Sequence, residues 1–217
     1  MLAHEDYEDA IALLTDALKM IAARIRREDN FPGHSSPLSW PTFHFLSNPE
    51  ESFLHDDHPL VYNSSDLPRF VFRDPIQVCI PSNFQPSSGT YEVLSYVVLY
   101  NLALSWHLSG ISSVGNDAVR NVRLQKALDL YGHANSVMTN GQIEANPLHY
   151  MGMLCNIGQI CSVQGNIEQA EACFRLLLSA IMCLVDSGVG AENHTQLEGF
   201  ISNVMPIILK ENTAPAA

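Results

Sequence analysis

Four consecutive side chains, His55-Asp56-Asp57-His58, bring together imidazole and carboxylate, donors that zinc and other transition metals accept. One loop seldom closes a coordination shell by itself, and no Cys or His elsewhere stands at partner spacing. The run therefore reads as a solvated acidic loop, and neither a metal nor another cofactor is expected. Cys155 and Cys161 are six residues apart, on different faces of one helix, and Cys173 and Cys183 are ten apart. Neither pair has metal or redox spacing, so reduced core thiols are expected. Nucleophilic catalysis has no signature, since G-x-S-x-G is absent and the Ser, His and Asp residues are scattered. Gly188-Val-Gly190-Ala-Glu-Asn lacks the third glycine of the dinucleotide fingerprint and follows a helix rather than a strand. No catalytic residue is expected, and His107 and His133 read as partly buried structural histidines.

The asparagines are more informative. Leu99-Tyr-Asn-Leu102, Leu154-Cys-Asn-Ile157 and Ile201-Ser-Asn-Val204 share one pattern: aliphatic, any residue, Asn, aliphatic. A carboxamide offers donor and acceptor together, so Asn101, Asn156 and Asn203 could read the backbone of a bound peptide. They could equally bond between neighbouring helical hairpins, and that structural role is the favoured expectation.

The elements that must position these residues follow from periodicity. Apolar Ala10, Ile11, Leu14, Ala17, Leu18, Ile21 and Ile25 recur at three and four residues, which predicts an amphipathic helix over 7–27. Residues 28–90 change in texture, with most of the chain's prolines and many Ser, Asn, Asp and His. Within them 69–80 has two short β-prone runs around Asp74-Pro75, a candidate β-hairpin, and 40–46 is another extended candidate. The apolar run should be ordered because Phe70, Phe72, Ile76, Val78 and Ile80 need a surface to bury against, whereas acidic 47–58 should be mobile. From Tyr91 the helical period returns, predicting helices over 91–109, 117–139, 147–164, 167–186 and 192–211. Gly110, Gly165 and Gly188 follow as helix ends. The organisation is thus an N-terminal helix over 1–27, an irregular segment over 28–90, a helical domain over 91–211 and a tail over 212–217.

Composition limits the function. The 217 residues are 47% hydrophobic and 16% charged, which suits a globular chain. A formal net charge of -12 disfavours nucleic acid, which needs a basic face. No apolar run reaches the roughly 18 residues of a membrane span. The acidic N-terminus does not resemble a leader, so a cytoplasmic location is expected.

The second halves of these hairpins carry Ala127, Tyr131, Ala134 and Ala170, Phe174, Leu177. With Leu99, Leu102, Ala103, Trp106 and with Leu154, Ile157, Gly158, Cys161 before them, the chain resembles the tetratricopeptide repeat, W-x2-L-G-x2-Y followed by A-x3-F. Gly165-Asn-Ile-Glu-Gln-Ala170 looks like that family's inter-helix turn, with Ala170 facing Gly158. The Asn anchors stand 55 and then 47 residues apart where the family unit is about 34, so the repeats carry insertions. The resemblance implies an all-α fold of antiparallel helical hairpins and a concave groove for a protein or peptide. Its matching groove positions are Tyr100, Leu104, Cys155, Gln159, Ser202 and Pro206, and all but Pro206 join Asn101, Asn156 and Asn203 as the candidate partner-binding residues. None is a cation, so an apolar or helical partner segment is expected rather than an acidic tail, and the chain's own 69–80 could shield that groove. The reading is a non-catalytic protein-binding scaffold. The alternatives are a structural subunit whose groove is permanently filled and, as a weaker reading, an enzyme or metal-binding protein.

Overall fold

The computed structural model describes residues 2–28, 70–78, 88–113, 115–141, 143, 146–187 and 194–213. The 55–58 cluster, the 40–46 and 47–58 stretches, Cys79, Ile80, Gly188, Gly190 and the tail beyond 213 lie outside them. The fold is all-α, with helices α1 (Leu2–Glu28), α2 (Ser88–Ile111), α3 (Asp117–Asn140), α4 (Pro147–Val163), α5 (Ile167–Asp186) and α6 (His194–Thr213). Among the described residues no helix is long and apolar enough to cross a membrane.

Two compact units divide these elements. The first holds α1, α2, α3 and residues 75–78, with α2 packed against both neighbours. Leu124, Ala127, Tyr131 and Ala134 form the buried stripe of α3 at three- and four-residue spacing. Tyr131 stacks edge-on to Tyr100 at 5.9 Å, and Tyr100 lies 6.3 Å from Tyr96, making a wholly buried aromatic row. Arg123 joins the helices: its guanidinium donates to Ser113 Oγ at 2.8 Å and pairs with Glu8 Oε1 at 2.7 Å. Ile11 is the buried residue of the amphipathic face expected on α1, while Leu13 and Met20 remain exposed.

The second unit holds residues 70–74, α4, α5 and α6. Helix α4 is apolar nearly all round, as suits a helix covered on several sides. α5 has one buried stripe, Ala170, Phe174, Leu177, Ile181 and Leu184. The turn between α4 and α5 forms where expected. Gly165 takes φ of 78°, the left-handed region glycine enters without strain, and Asn166 caps α5 by accepting from Gln169 N. The nearest neighbour of Gly158 is the Phe174 ring: a Cβ at Gly158 would lie 2.7 Å from Phe174 Cε1. Ala170 is itself buried, so Ala170→Leu should overpack the pair and cost roughly 1 to 3 kcal/mol, read as a lowered melting temperature.

Two expectations fail. Gly110 is not a cap but a buried residue of the last turn of α2, where a Cβ would come 2.9 Å from Leu124 Cδ2. The β-hairpin around Asp74-Pro75 is also not formed: residues 70–78 contain no strand, the backbone of Phe70 and Phe72 bonding to side chains of α6 and α4 in the second unit and that of Ile76 to a side chain of α2 in the first.

Candidate functional site: an asparagine clamp on an extended segment

The three patterned asparagines all bind backbone. In the second unit, Asn156 of α4 accepts from Phe72 N–H at 2.9 Å and donates Nδ2 to Phe72 C=O at 2.9 Å. Asn203 of α6 treats Phe70 the same way, accepting from its N–H at 3.1 Å and donating to its carbonyl at 2.7 Å. In the first unit, Asn101 of α2 accepts from Ile76 N–H at 2.8 Å and donates to Ile76 C=O at 2.9 Å. The N–H and C=O of one residue point to the same side when the chain is extended, as in the hydrogen-bonded pairs of an antiparallel ladder. A primary carboxamide is the side-chain equivalent of that partner. The bond between helical hairpins favoured from sequence is present at Asn203, whose Nδ2 also reaches Cys155 Sγ at 3.1 Å.

The aromatic side chains of the segment sit where α4 and α6 lack side chains. Gly152 and Gly199 stand four residues, one turn, before Asn156 and Asn203. Helical side chains lean toward the N-terminus, so each carboxamide projects over the turn that its glycine leaves bare. A Cβ on Gly152 would lie 2.2 Å from Phe72 Cδ1, and one on Gly199 would lie 2.3 Å from Phe70 Cδ2. Around these gaps Phe200 meets Phe70 edge-on at 5.4 Å and Phe72 at 5.5 Å, and His149 meets Phe72 edge-on at 5.9 Å. Phe72 is left 2% exposed. On α2 the position four before Asn101 is Val97, and the residue clamped there is the smaller Ile76.

The other expected groove residues are distributed differently. Cys155 touches the segment, with Sγ 3.6 Å from Phe70 O. Tyr100 belongs to the aromatic row of the first unit, and Leu104 and Gln159 are buried. Ser202 is exposed and donates to Gly199 O of its own helix. Gly152, Gly199, His149 and Phe200 were not singled out by sequence; the signal that could have found the glycines is the spacing Gly-x3-Asn, present at 152–156 and 199–203.

In the second unit the groups that bond to the segment are two carboxamides and a thiol. Burial pushes the Cys155 thiol up to about 12, against the smaller opposing effect of the Asn203 hydrogen bond. Because the folded value exceeds the unfolded one, this thiol supports the fold below pH of about 9 and loses that contribution as pH rises toward about 12. Cys173 is half-buried and Cys183 exposed, so the expectation of core thiols fails for Cys183. Iodoacetamide at pH 8 should modify Cys183 first and leave Cys155 intact; rapid labelling of Cys155 would show that the segment leaves its site readily. His107 is fully buried, edge-on to Tyr131 at 6.3 Å, whereas His133 is exposed rather than partly buried. Among the described residues no three His, Cys, Asp or Glu side chains are grouped to hold a metal ion. No family model, curated protein or solved structure matches the chain.

Proposed function

We propose that this chain is a non-catalytic protein-binding scaffold built from tetratricopeptide-like helical hairpins, whose asparagine-bearing helices hold a polypeptide in extended form. One observation carries the reading: in the second unit Asn156 and Asn203 each take both the N–H and the C=O of one residue, Phe72 and Phe70, and in the first unit Asn101 does the same to Ile76. Such a clamp recognises main chain, which every polypeptide offers, and so suits peptide recognition better than small-molecule chemistry. Support for the repeat relation comes from the pairs α2 with α3 and α4 with α5, in which matching small residues, Ala127 and Ala170, are buried beside Tyr131 and Phe174. The resident segment is extended and carries buried Val71 and Phe72, which supports the apolar rather than the helical form of the partner segment expected from sequence.

The test is affinity capture with the wild-type chain and with an Asn156→Ala, Asn203→Ala chain. Partners lost selectively from a variant shown folded by circular dichroism support the reading, and an unchanged set places binding elsewhere. The burial of Phe72 favours a second reading, in which the site is closed permanently and the chain is a structural subunit. That reading requires assembly through other surfaces, for which α5 offers exposed Leu176, Met182 and Val185.

A further inference from the structure

We infer that Gly152 and Gly199 are side-chain sockets which select an aromatic residue at each clamped position, and that a partner protein presenting an extended Phe-x-Phe segment replaces residues 70–72 in competition with them. The inference rests on the protein-binding reading above and adds to it the identity of the ligand and its regulation by the chain itself. The clamps alone are blind to sequence, because the bonds that Asn156 and Asn203 make to the segment go to its main-chain atoms. Side-chain identity is read one turn away. There the missing Cβ atoms admit the rings of Phe72 and Phe70 to within 2.2 and 2.3 Å of where a Cβ would stand, with Phe200 packed against both rings.

The spacing of two residues between the clamped positions keeps both backbones facing the helices, because chain direction alternates with period two. Val71, between the two clamped residues, is itself buried, whereas Arg73 beyond them is exposed, and so the sequence requirement is aromatic, apolar, aromatic. An incoming segment of that kind reforms every hydrogen bond that the resident one gives up. The exchange is therefore decided by the side chains and by the effective concentration of the covalently attached resident segment, on the order of millimolar. The resident segment acts as a built-in competitor that a partner with aromatics at both positions overcomes and one without them does not.

The experiment titrates a labelled peptide with the sequence 69–80 into the full chain, wild type and Phe70→Ala, Phe72→Ala. The double variant should bind roughly 100-fold more tightly than wild type. Peptides with Ala in place of either Phe should bind the double variant roughly 10- to 100-fold more weakly than the parent peptide. Equal binding of the Ala peptides would overturn the sockets while leaving a peptide-binding clamp intact. Absence of binding to a double variant shown folded by circular dichroism would overturn the protein-binding reading itself. Should the double variant not fold, hydrogen exchange on the wild type decides: the Phe72 amide should lose protection as the parent peptide approaches millimolar and keep it with the Ala peptides. Protection unchanged by the parent peptide would make the segment a fixed structural part. If the parent peptide instead dissolves a dimer of the wild-type chain, the occupant comes from a second copy, which overturns the assignment to another protein.

Discussion

Asn156→Ala is expected to destabilise the chain by roughly 2 to 5 kcal/mol, the largest effect among the three patterned asparagines. The substitution strands two backbone groups at once, and a buried group deprived of its partner costs about 1 to 3 kcal/mol, far more than the net worth of a satisfied hydrogen bond. Asn156 is fully buried, and both of its bonds to Phe72 are out of reach of water. Asn101 makes the same pair of bonds to Ile76 from a half-buried position, where solvent can substitute, and its replacement should cost roughly 1 to 2 kcal/mol. Asn203 falls between them, its bonds to Phe70 being only partly buried while it also loses the contact to Cys155. Urea unfolding of the three Ala variants measures the series. Equal effects at 101 and 156 would show that burial does not set the cost, and a loss below about 1 kcal/mol at 156 would show that water takes over the carboxamide's role.

That ranking depends on contacts 84 and 133 residues apart in sequence, which is why the site was only half legible beforehand. The helices were readable because apolar period and helix boundaries are local properties. The expected 117–139, 147–164 and 167–186 lie within a residue of α3, α4 and α5, and Asn116, Asn146 and Asn166 each cap the helix that follows. Helix α1 starts at Leu2, five residues before the apolar period becomes readable at Tyr7. Gly110 was misread because glycine serves equally as a cap and as a gap, and only the place of Leu124 distinguishes the two. The same ambiguity hid Gly152 and Gly199. The apolar alternation in 69–80 indicated burial, and Val71, Phe72 and Ile76 are buried, but it could not say what satisfies the backbone. A strand partner is the usual answer, and here the partners are the asparagines that had been noted separately.

The strongest check on that pairing of glycine with ring is a mutant cycle in which one substitution changes sign. Phe72→Ala should cost about 3 to 5 kcal/mol, the range for emptying the site of a buried aromatic. Gly152→Ala in the wild type places a Cβ 2.2 Å from the Phe72 ring, which cannot be absorbed without moving the ring and the segment carrying it, so roughly 1 to 3 kcal/mol is lost. In the Phe72→Ala background that obstacle is gone. Gly152 lies inside α4, where alanine is the better helix former by about 0.5 to 1 kcal/mol, so the same Gly152→Ala should now stabilise. The two effects differ by roughly 2 to 3 kcal/mol, a coupling well above what independent sites show. Chemical denaturation of the wild type, the two single variants and the double variant measures it. If Gly152→Ala costs the same in both backgrounds, the glycine is required by something other than the ring, and the inference that these gaps choose the residue held by Asn156 fails with it.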